Sequence, residues 1–405
     1  MLHTISDGVY CVHADIQTKD LFEGIWPVAR GVSLNCYLVR GEKTALIDLV
    51  RDWTDAPGQL EAKLSELGLS FADIDYLILN HLEPDHTGWL REFFRVNTRA
   101  EILATPKGIK LVRSFYGITE RLKELRDGDS LDLGKGRILR FIETPNIHWP
   151  ETMVTYDEAS GTLFSCDAFG AFGALGDKVF DDQLSAEEHA FFEEETLRYY
   201  SNIIASFSSF VEKGIQKIRE TVPVINCVAP SHGPVWRKDP NAIIKRYLDY
   251  AAYARGKTEK EICVIWGSMY GNTKAGVDAV IRGIEAEGVP YTAYRVPDED
   301  VSYVLAGAYK SAGLVIAMPT YEYAVFPPMA YVLDIFRRKH ISGKTVLRIG
   351  SWGWAGGAKK EYEGTLEKLS WTSMEALEWP GFPDGETLAL LEARGRELAR
   401  RVQSL

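Results

Sequence analysis

Four side chains able to bind a metal fall within six residues, His81-Leu82-Glu83-Pro84-Asp85-His86. Imidazole and carboxylate together form a donor set suited to transition-metal ions. The stretch follows an apolar run, 75–80, that reads as a buried strand. A strand end opening into a loop is where ligands from distant segments can converge on a rigid base. Pro84 is expected to stiffen that loop, and Gly88 to open a short helix through Leu90 and Phe94.

Three further candidate ligands stand at comparable positions. His148 lies in Asn146-Ile147-His148-Trp149-Pro150, after a strand ending near Glu143. Asp167 closes the run 162–167, and His232 follows Val228-Ala229-Pro230-Ser231. Of eight histidines, four (His81, His86, His148 and His232) sit at strand ends. His3, His13, His189 and His340 do not, and are read as structural or surface residues.

The elements that must position these groups are short strands at 8–14, 34–40 and 43–50, with Arg40-Gly41-Glu42 as a hairpin turn. Leu60, Leu64 and Leu67 have helical spacing, with Gly68 as the expected C-cap. Strand segments at 137–144, 152–157 and 162–166 follow, then a long helical region, 185–220, and a strand, 224–228. The mixture suits two sheets sandwiched between helices.

At 405 residues the chain exceeds one ordinary core, so two domains are expected. Its net charge of -11 disfavours nucleic acid or an anionic membrane as a partner. No apolar run is long enough to span a bilayer, and the N-terminus lacks the pattern of a signal peptide. The five cysteines (Cys11, Cys36, Cys166, Cys227 and Cys263) are scattered and include no C-x-x-C pair. That argues for a reducing, cytoplasmic setting and against a disulfide framework, a thiolate zinc site or an iron–sulfur cluster.

The charged segment 254–260 marks the expected domain boundary: 1–254, a linker 255–260, then 261–405. Beyond it, strand and helix alternate. A strand at 261–266 leads into the loop Ser268-Met269-Tyr270-Gly271-Asn272-Thr273, then a helix with Val277, Val280, Ile281 and Ile284 on one face. Hydroxyls, backbone N–H groups and a helix N-terminus make such a loop a ready phosphate site. It matches neither fingerprint loop for ATP or NAD. Strands at 313–318 and 345–350 lead into Pro319-Thr320-Tyr321-Glu322-Tyr323 and Ser351-Trp352-Gly353-Trp354-Ala355-Gly356. All three loops leave the carboxyl edge of a parallel sheet, where doubly wound folds bind ligands. The residue types alone point to a flat, phosphorylated ligand.

The spacing H-x-E-x-D-H, followed by His148, Asp167 and His232, resembles the flavodiiron branch of the metallo-β-lactamase fold. The H-W-P after His148, the D-A-F-G at Asp167 and the S-H-G around His232 match that family too. The second half resembles flavodoxin. The resemblance implies an α/β chain: a metallo-β-lactamase-like αββα sandwich followed by a flavodoxin-like, doubly wound, five-stranded parallel sheet carrying FMN. It further implies two iron ions, one held by His81, Glu83 and His148, the other by Asp85, His86 and His232, with Asp167 bridging. Glu83 replaces the histidine of the zinc hydrolases of this fold, which hardens the site toward iron or manganese. Tyr199 and Tyr200 lie in a segment resembling the family's pocket-lining helix, placed either to donate to a bound diatomic or to pack. Many members carry a histidine where this chain reads Phe22-Glu23-Gly24-Ile25-Trp26, so the lining of the gas pocket differs here.

The implied activity is reduction of dioxygen to water, of nitric oxide to nitrous oxide, or both. Electrons would come from an external donor: rubredoxin, a reduced deazaflavin or a separate reductase. The short stretch after the last helix and the missing C-x-x-C pairs leave no rubredoxin module in the sequence. A head-to-tail homodimer, or a dimer of such dimers, is expected. Two other classes stay open at this point: a metal-dependent hydrolase with a regulatory flavin domain, and a non-catalytic electron carrier or gas sensor.

Overall fold

The computed structural model describes residues 2–366 and 369–405. By contact the chain divides into Met1–Leu248 and Asp249–Leu405, and the division falls inside the helix Pro240–Tyr253.

The first unit is built on two mixed sheets. In one, Val9–Ile16, Val32–Arg40 and Thr44–Ile47 run antiparallel, and the Arg40↔Thr44 pairing closes the expected hairpin. Tyr76–Ile78, Glu101–Ala104 and Leu122–Glu124 extend that sheet in parallel. In the other, Ser130–Asp132, Ile138–Glu143, Met153–Asp157 and Thr162–Cys166 are antiparallel, with Cys227–Pro230 added in parallel. The inner faces meet in one core. Cys11, Tyr37, Ile47, Ile78 and Leu103 from the first sheet pack with Leu139, Phe141, Met153, Phe164 and Ala229 from the second. Helices flank the sheets in the αββα arrangement. Ser208–Thr221 buries Val211, Ile215 and Ile218, the i, i+4, i+7 stripe of a helix lying on a core.

Three local expectations are corrected, and one, the closing glycine of the first helix, holds. Pro84 does not stiffen a loop; it opens a one-turn helix, Pro84–Thr87, where its missing N–H costs nothing, and a second helix, Leu90–Val96, follows. The helix carrying Leu60 and Leu64 is closed as expected by Gly68 (φ +68°), whose N–H donates to the Ser65 carbonyl (3.0 Å) while Leu69 N–H donates to that of Leu64 (3.1 Å). The region 185–220 is broken by a π-helical turn, Tyr200–Ile204, and a 3-10 turn, Ala205–Phe207. The strand expected at 224–228 is Cys227–Pro230, because Pro223 follows directly on the helix cap and Val224 is exposed.

The second unit is a doubly wound parallel sheet. Its order is Tyr291–Arg295, Glu259–Trp266, Ser311–Ala317, Thr345–Trp352, which is the 2-1-3-4 succession of flavodoxin-like folds. The fifth position is filled by two short pieces, Thr372–Ser373 and Leu377–Pro380, both pairing in parallel with Thr345–Trp352. Asn272–Ala286 and Gly385–Gln403 pack tightly side by side. A Cβ on Gly283 would lie 2.1 Å from the Glu392 carbonyl oxygen, and one on Gly395 would lie 2.2 Å from that of Val280.

Candidate metal centre and phosphate pocket

Asn80, directly before the first ligand, ties the two sheets together under the site. Its N–H donates to Asp48 Oδ1 (2.7 Å), its Oδ1 accepts from Thr155 Oγ1 (2.7 Å), and its Nδ2 donates to the Phe164 carbonyl (3.3 Å). His81 then projects from the strand end. The one-turn helix carries Asp85 and His86 and is clamped by Leu49 N–H to the His86 carbonyl (3.0 Å) and Arg51 N–H to the Asp85 carbonyl (3.0 Å). Asp167 follows Cys166, whose φ of +51° at a register shift turns the chain out of its strand.

All seven candidate ligands meet at one place. His81, Glu83, His148 and Asp167 form one cluster of donor atoms, and Asp85, His86 and His232 a second beside it. Glu83 Oε2 lies 2.9 Å from His148 Nε2 and 3.4 Å from His81 Nε2. Asp85 Oδ2 lies 3.3 Å from His232 Nε2, and Asp85 Oδ1 3.6 Å from His86 Nε2. Asp167 serves both clusters. Its Oδ2 is 3.2 Å from His148 Nε2 and 3.4 Å from His81 Nε2, while its Oδ1 is 2.9 Å from His86 Nε2 and 3.5 Å from His232 Nε2. Donors about 2.1 Å from a shared ion stand roughly 3.0 Å apart at octahedral and 3.4 Å at tetrahedral angles. The observed spacings fall around those edges.

The outer nitrogens are fixed from behind. His81 Nδ1–H donates to Glu151 Oε1 (2.8 Å) and His232 Nδ1–H to the Ser33 carbonyl (2.7 Å), so both rings turn Nε2 inward. Both Asp85 oxygens, Asp167 Oδ2 and His232 Nε2 are buried with no partner in hydrogen-bond geometry among the described residues. Such orphaned atoms are costly unless an ion takes them up.

The electrostatics agree. Burial alone would lower the His81 and His232 pKa values, but hydrogen bonds and charges from Glu151, Glu83, Asp85 and Asp167 override it and raise both to about 10. His86 and His148 are raised to about 9 against the same burial penalty. Glu83 and Asp167, despite burial that would raise them, are held well below the ordinary carboxylate range by the surrounding imidazoles. Metal-free, the cage holds protons where cations belong.

In the second unit, Gly271 adopts φ +93° and its N–H donates to Ser268 Oγ (3.0 Å), which turns the loop onto the start of Asn272–Ala286. Thr273 Oγ1 and Ser351 Oγ share a hydrogen bond (2.8 Å) across the two loops. A cavity of about 300 Å³ opens here, lined by Ser268, Met269, Tyr270, Asn272, Thr273, Pro319, Thr320, Tyr321, Glu322, Ser351, Trp352, Gly353 and Trp354. Gly271 shapes the loop instead of lining it. Tyr323, Ala355 and Gly356 also lie outside the lining, although Tyr323 Oη accepts from Trp354 Nε1 (3.1 Å). Ser351 and Trp352 belong to the strand end, not to the loop after it. The lining holds no lysine or arginine, so a phosphate there would rest on N–H groups and hydroxyls. The aromatics suit a flat ring.

A family model described as "ODP family beta lactamase" matches residues 32–233. Anaerobic nitric oxide reductase flavorubredoxins from Vibrio vulnificus and Aeromonas hydrophila are 31% and 33% identical to this chain, covering 95% and 96% of it and 77% of each relative. The chain belongs to the flavodiiron proteins.

Solved structures agree on the fold of this flavodiiron protein. The rubredoxin oxygen:oxidoreductase of Desulfovibrio gigas matches with a TM-score of 0.91 at 23% identity, over 100% of this chain and 99% of that one. A histidine-to-asparagine mutant of the flavo di-iron protein of Thermotoga maritima matches at 0.85 with 26% identity, over 99% and 98%. Among the described residues, no helix is long and apolar enough to cross a membrane.

Around the cage, the Tyr199 ring lies 5.6 Å from that of His232, and its buried hydroxyl has no hydrogen-bond partner among the described residues. Tyr200 is differently placed: its hydroxyl shares a hydrogen bond with Ser208 Oγ (2.9 Å) and its ring meets Tyr247 edge-on. Sequence reasoning missed Glu151, Asp48, Asn80 and the role of Phe22. Phe22 fills the stretch without histidine and stands edge-on to His232 at 5.4 Å. Glu151 carried a faint signal, as an acid directly after the H-W-P of a candidate ligand.

Proposed function

We propose that this flavodiiron protein is an oxidoreductase that reduces dioxygen to water, nitric oxide to nitrous oxide, or both. The observation that carries the reading is Asp167, with one carboxylate oxygen toward each cluster of donors. His81, Glu83 and His148 would hold one iron and Asp85, His86 and His232 the other, with one oxygen of Asp167 facing each set. FMN would be held where the segments 268–273, 319–322 and 351–354 meet around one cavity. The diiron domain is 1–254 and the FMN domain 261–405, with the linker 255–260 running into the strand Glu259–Trp266. When bound, the flavin and the iron pair supply two electrons each, enough for the four that dioxygen takes up.

The chain's own residues do the rest. Glu83, where a zinc hydrolase of this fold carries an imidazole, keeps the donor set hard and oxygen-rich. Phe22, Phe172 and Tyr199 pack edge to face beside His232, and Phe22 also lines a cleft that reaches Glu83 and Asp85. Tyr199 brings the free hydroxyl, positioned to donate to an oxygen atom that binds there. Burial and the Asp167 and Asp85 charges raise its pKa, so it stays protonated at neutral pH.

As electron donor we propose rubredoxin, a reduced deazaflavin or a separate reductase. The five cysteines are all buried and unpaired, and none belongs to a C-x-x-C pair. That cysteine chemistry also supports a cytoplasmic setting. We further propose a head-to-tail homodimer, or a dimer of such dimers. In support, the aromatics Tyr270, Tyr323 and Trp354 at the FMN pocket are strongly exposed, a surface for a second copy to cover.

The deciding experiment is anaerobic rapid mixing of the reduced, iron- and FMN-loaded protein with each gas, following flavin and iron absorbance. Rapid oxidation of both chromophores by at least one gas is expected. Flavin oxidation at the same rate in iron-free protein, or a single zinc per chain by metal analysis, would overturn the reading.

A further inference from the structure

The two halves of the cage have matching donors: each offers two imidazoles and one carboxylate of its own, plus one oxygen of Asp167. The number and kind of donor atoms therefore leave the two halves alike, and the groups behind the ligands do not. Those groups differ in charge. His232 Nδ1 meets a neutral backbone carbonyl, that of Ser33, at 2.7 Å, whereas His81 Nδ1 meets the carboxylate of Glu151 at 2.8 Å.

Glu151 is only 2% exposed. Its Oε1 also accepts from Leu82 N–H (3.1 Å), and its Oε2 has no hydrogen-bond partner among the described residues. Thr105 Oγ1 donates to its backbone carbonyl at 2.9 Å, and Trp149 stands edge-on to His81 at 5.0 Å. Carboxylate and imidazole are therefore locked in register. Asp48, the other buried acid beneath the cage, bonds Asn80 N–H and Ser231 Oγ instead of an imidazole.

We infer that Glu151 is a positioning residue that makes the two iron positions unequal, by directing its charge through His81 onto the position held with Glu83 and His148. The inference rests on the diiron reading above. An imidazole bonded to a carboxylate is a more basic ligand than one bonded to a carbonyl. It stabilises the ferric state, so the His81 position takes up its electron last. In the half-reduced protein the ferrous ion would then sit with Asp85, His86 and His232, and the ferric ion with His81. Each step is a one-electron reduction of ferric to ferrous iron by the added reductant.

The test is a dithionite titration of the loaded protein, following the low-temperature EPR signal of the half-reduced iron pair, in wild type, Glu151→Gln and Glu151→Asp. Wild type is expected to show two separated one-electron steps. Glu151→Gln keeps the hydrogen bond but loses the charge. The lower potential should rise by at least a tenfold change in the ferric-to-ferrous ratio, about 59 mV for one electron, and the upper should stay in place. Glu151→Asp, which keeps the charge, should restore most of the separation. In parallel, calorimetric titration of metal-free protein with Fe(II) should show one of two sites weakened by roughly 10–100-fold in Glu151→Gln.

A single two-electron step in wild type overturns the inference, and this reading holds even if no variant folds. Equal movement of both potentials, or of neither, in Glu151→Gln also overturns it while leaving the diiron reading intact. Fewer than two irons in wild type overturns both.

Discussion

At Asp167, Oδ1 lies 2.9 Å from His86 Nε2 and Oδ2 lies 3.2 Å from His148 Nε2, so one carboxylate serves two clusters of imidazoles. Asp167→Ala removes both oxygens at once. It is expected to abolish gas reduction and drop bound iron below two per chain while FMN content stays unchanged; iron and flavin analysis of one preparation reads both. Tyr199→Phe is a gentler probe, because the lost hydroxyl has no partner among the described residues to leave unpaired. Stability should move by no more than about 1 kcal/mol, with iron content unchanged, while turnover falls if the hydroxyl donates to substrate. Unchanged turnover would make Tyr199 a packing residue. The pKa values of the four cage histidines are raised by the surrounding carboxylates, so the metal-free protein is expected to carry protons on them at pH 7. Metal loading must expel those protons. Calorimetry at pH 7 in buffers of different ionisation enthalpy should show several released per metal pair, and affinity should fall as pH is lowered.

Among the elements, two glycines of the second unit are needed for opposite reasons. Gly395 faces the Val280 carbonyl at a distance that leaves no room for a methyl group. Gly395→Ala should force Gly385–Gln403 away from Asn272–Ala286 at a cost of about 1–3 kcal/mol. Thermal unfolding would show it as a lowered midpoint for the flavin-binding unit. Gly271 is the opposite case. Nothing lies within 4 Å of its would-be Cβ, yet its φ is +93°. Gly271→Val is limited by backbone strain alone, and should weaken FMN binding while iron content stays unchanged.

For the whole molecule, the metal cage lies in Met1–Leu248 and the flavin pocket in Asp249–Leu405. The presence of two units and the two kinds of strand pattern were legible in the sequence. The mixed pattern before residue 254 and the regular alternation after it correspond to two mixed sheets and one parallel sheet. Boundaries were read less well where local chemistry competes. Pro84 can rigidify a loop or start a helix, and only the clamps from Leu49 and Arg51 decide for the helix. The break at Tyr200–Ile204 interrupts an apolar stripe that runs on through it, which periodicity cannot register.

The sequence by itself determined the chemistry, because side-chain type is local: the seven donors, the hard carboxylate at Glu83, and the glycine- and hydroxyl-bearing loop at a strand end. The tertiary structure alone decided which oxygen of Asp167 faces which imidazole, which tyrosine reaches the cage, and that His81 is backed by Glu151 while His232 is backed by Ser33. Those pairings join residues 70 and 199 positions apart. Nothing local marks them, since a buried carboxylate and a backbone carbonyl acquire their partners only when the two sheets close on each other.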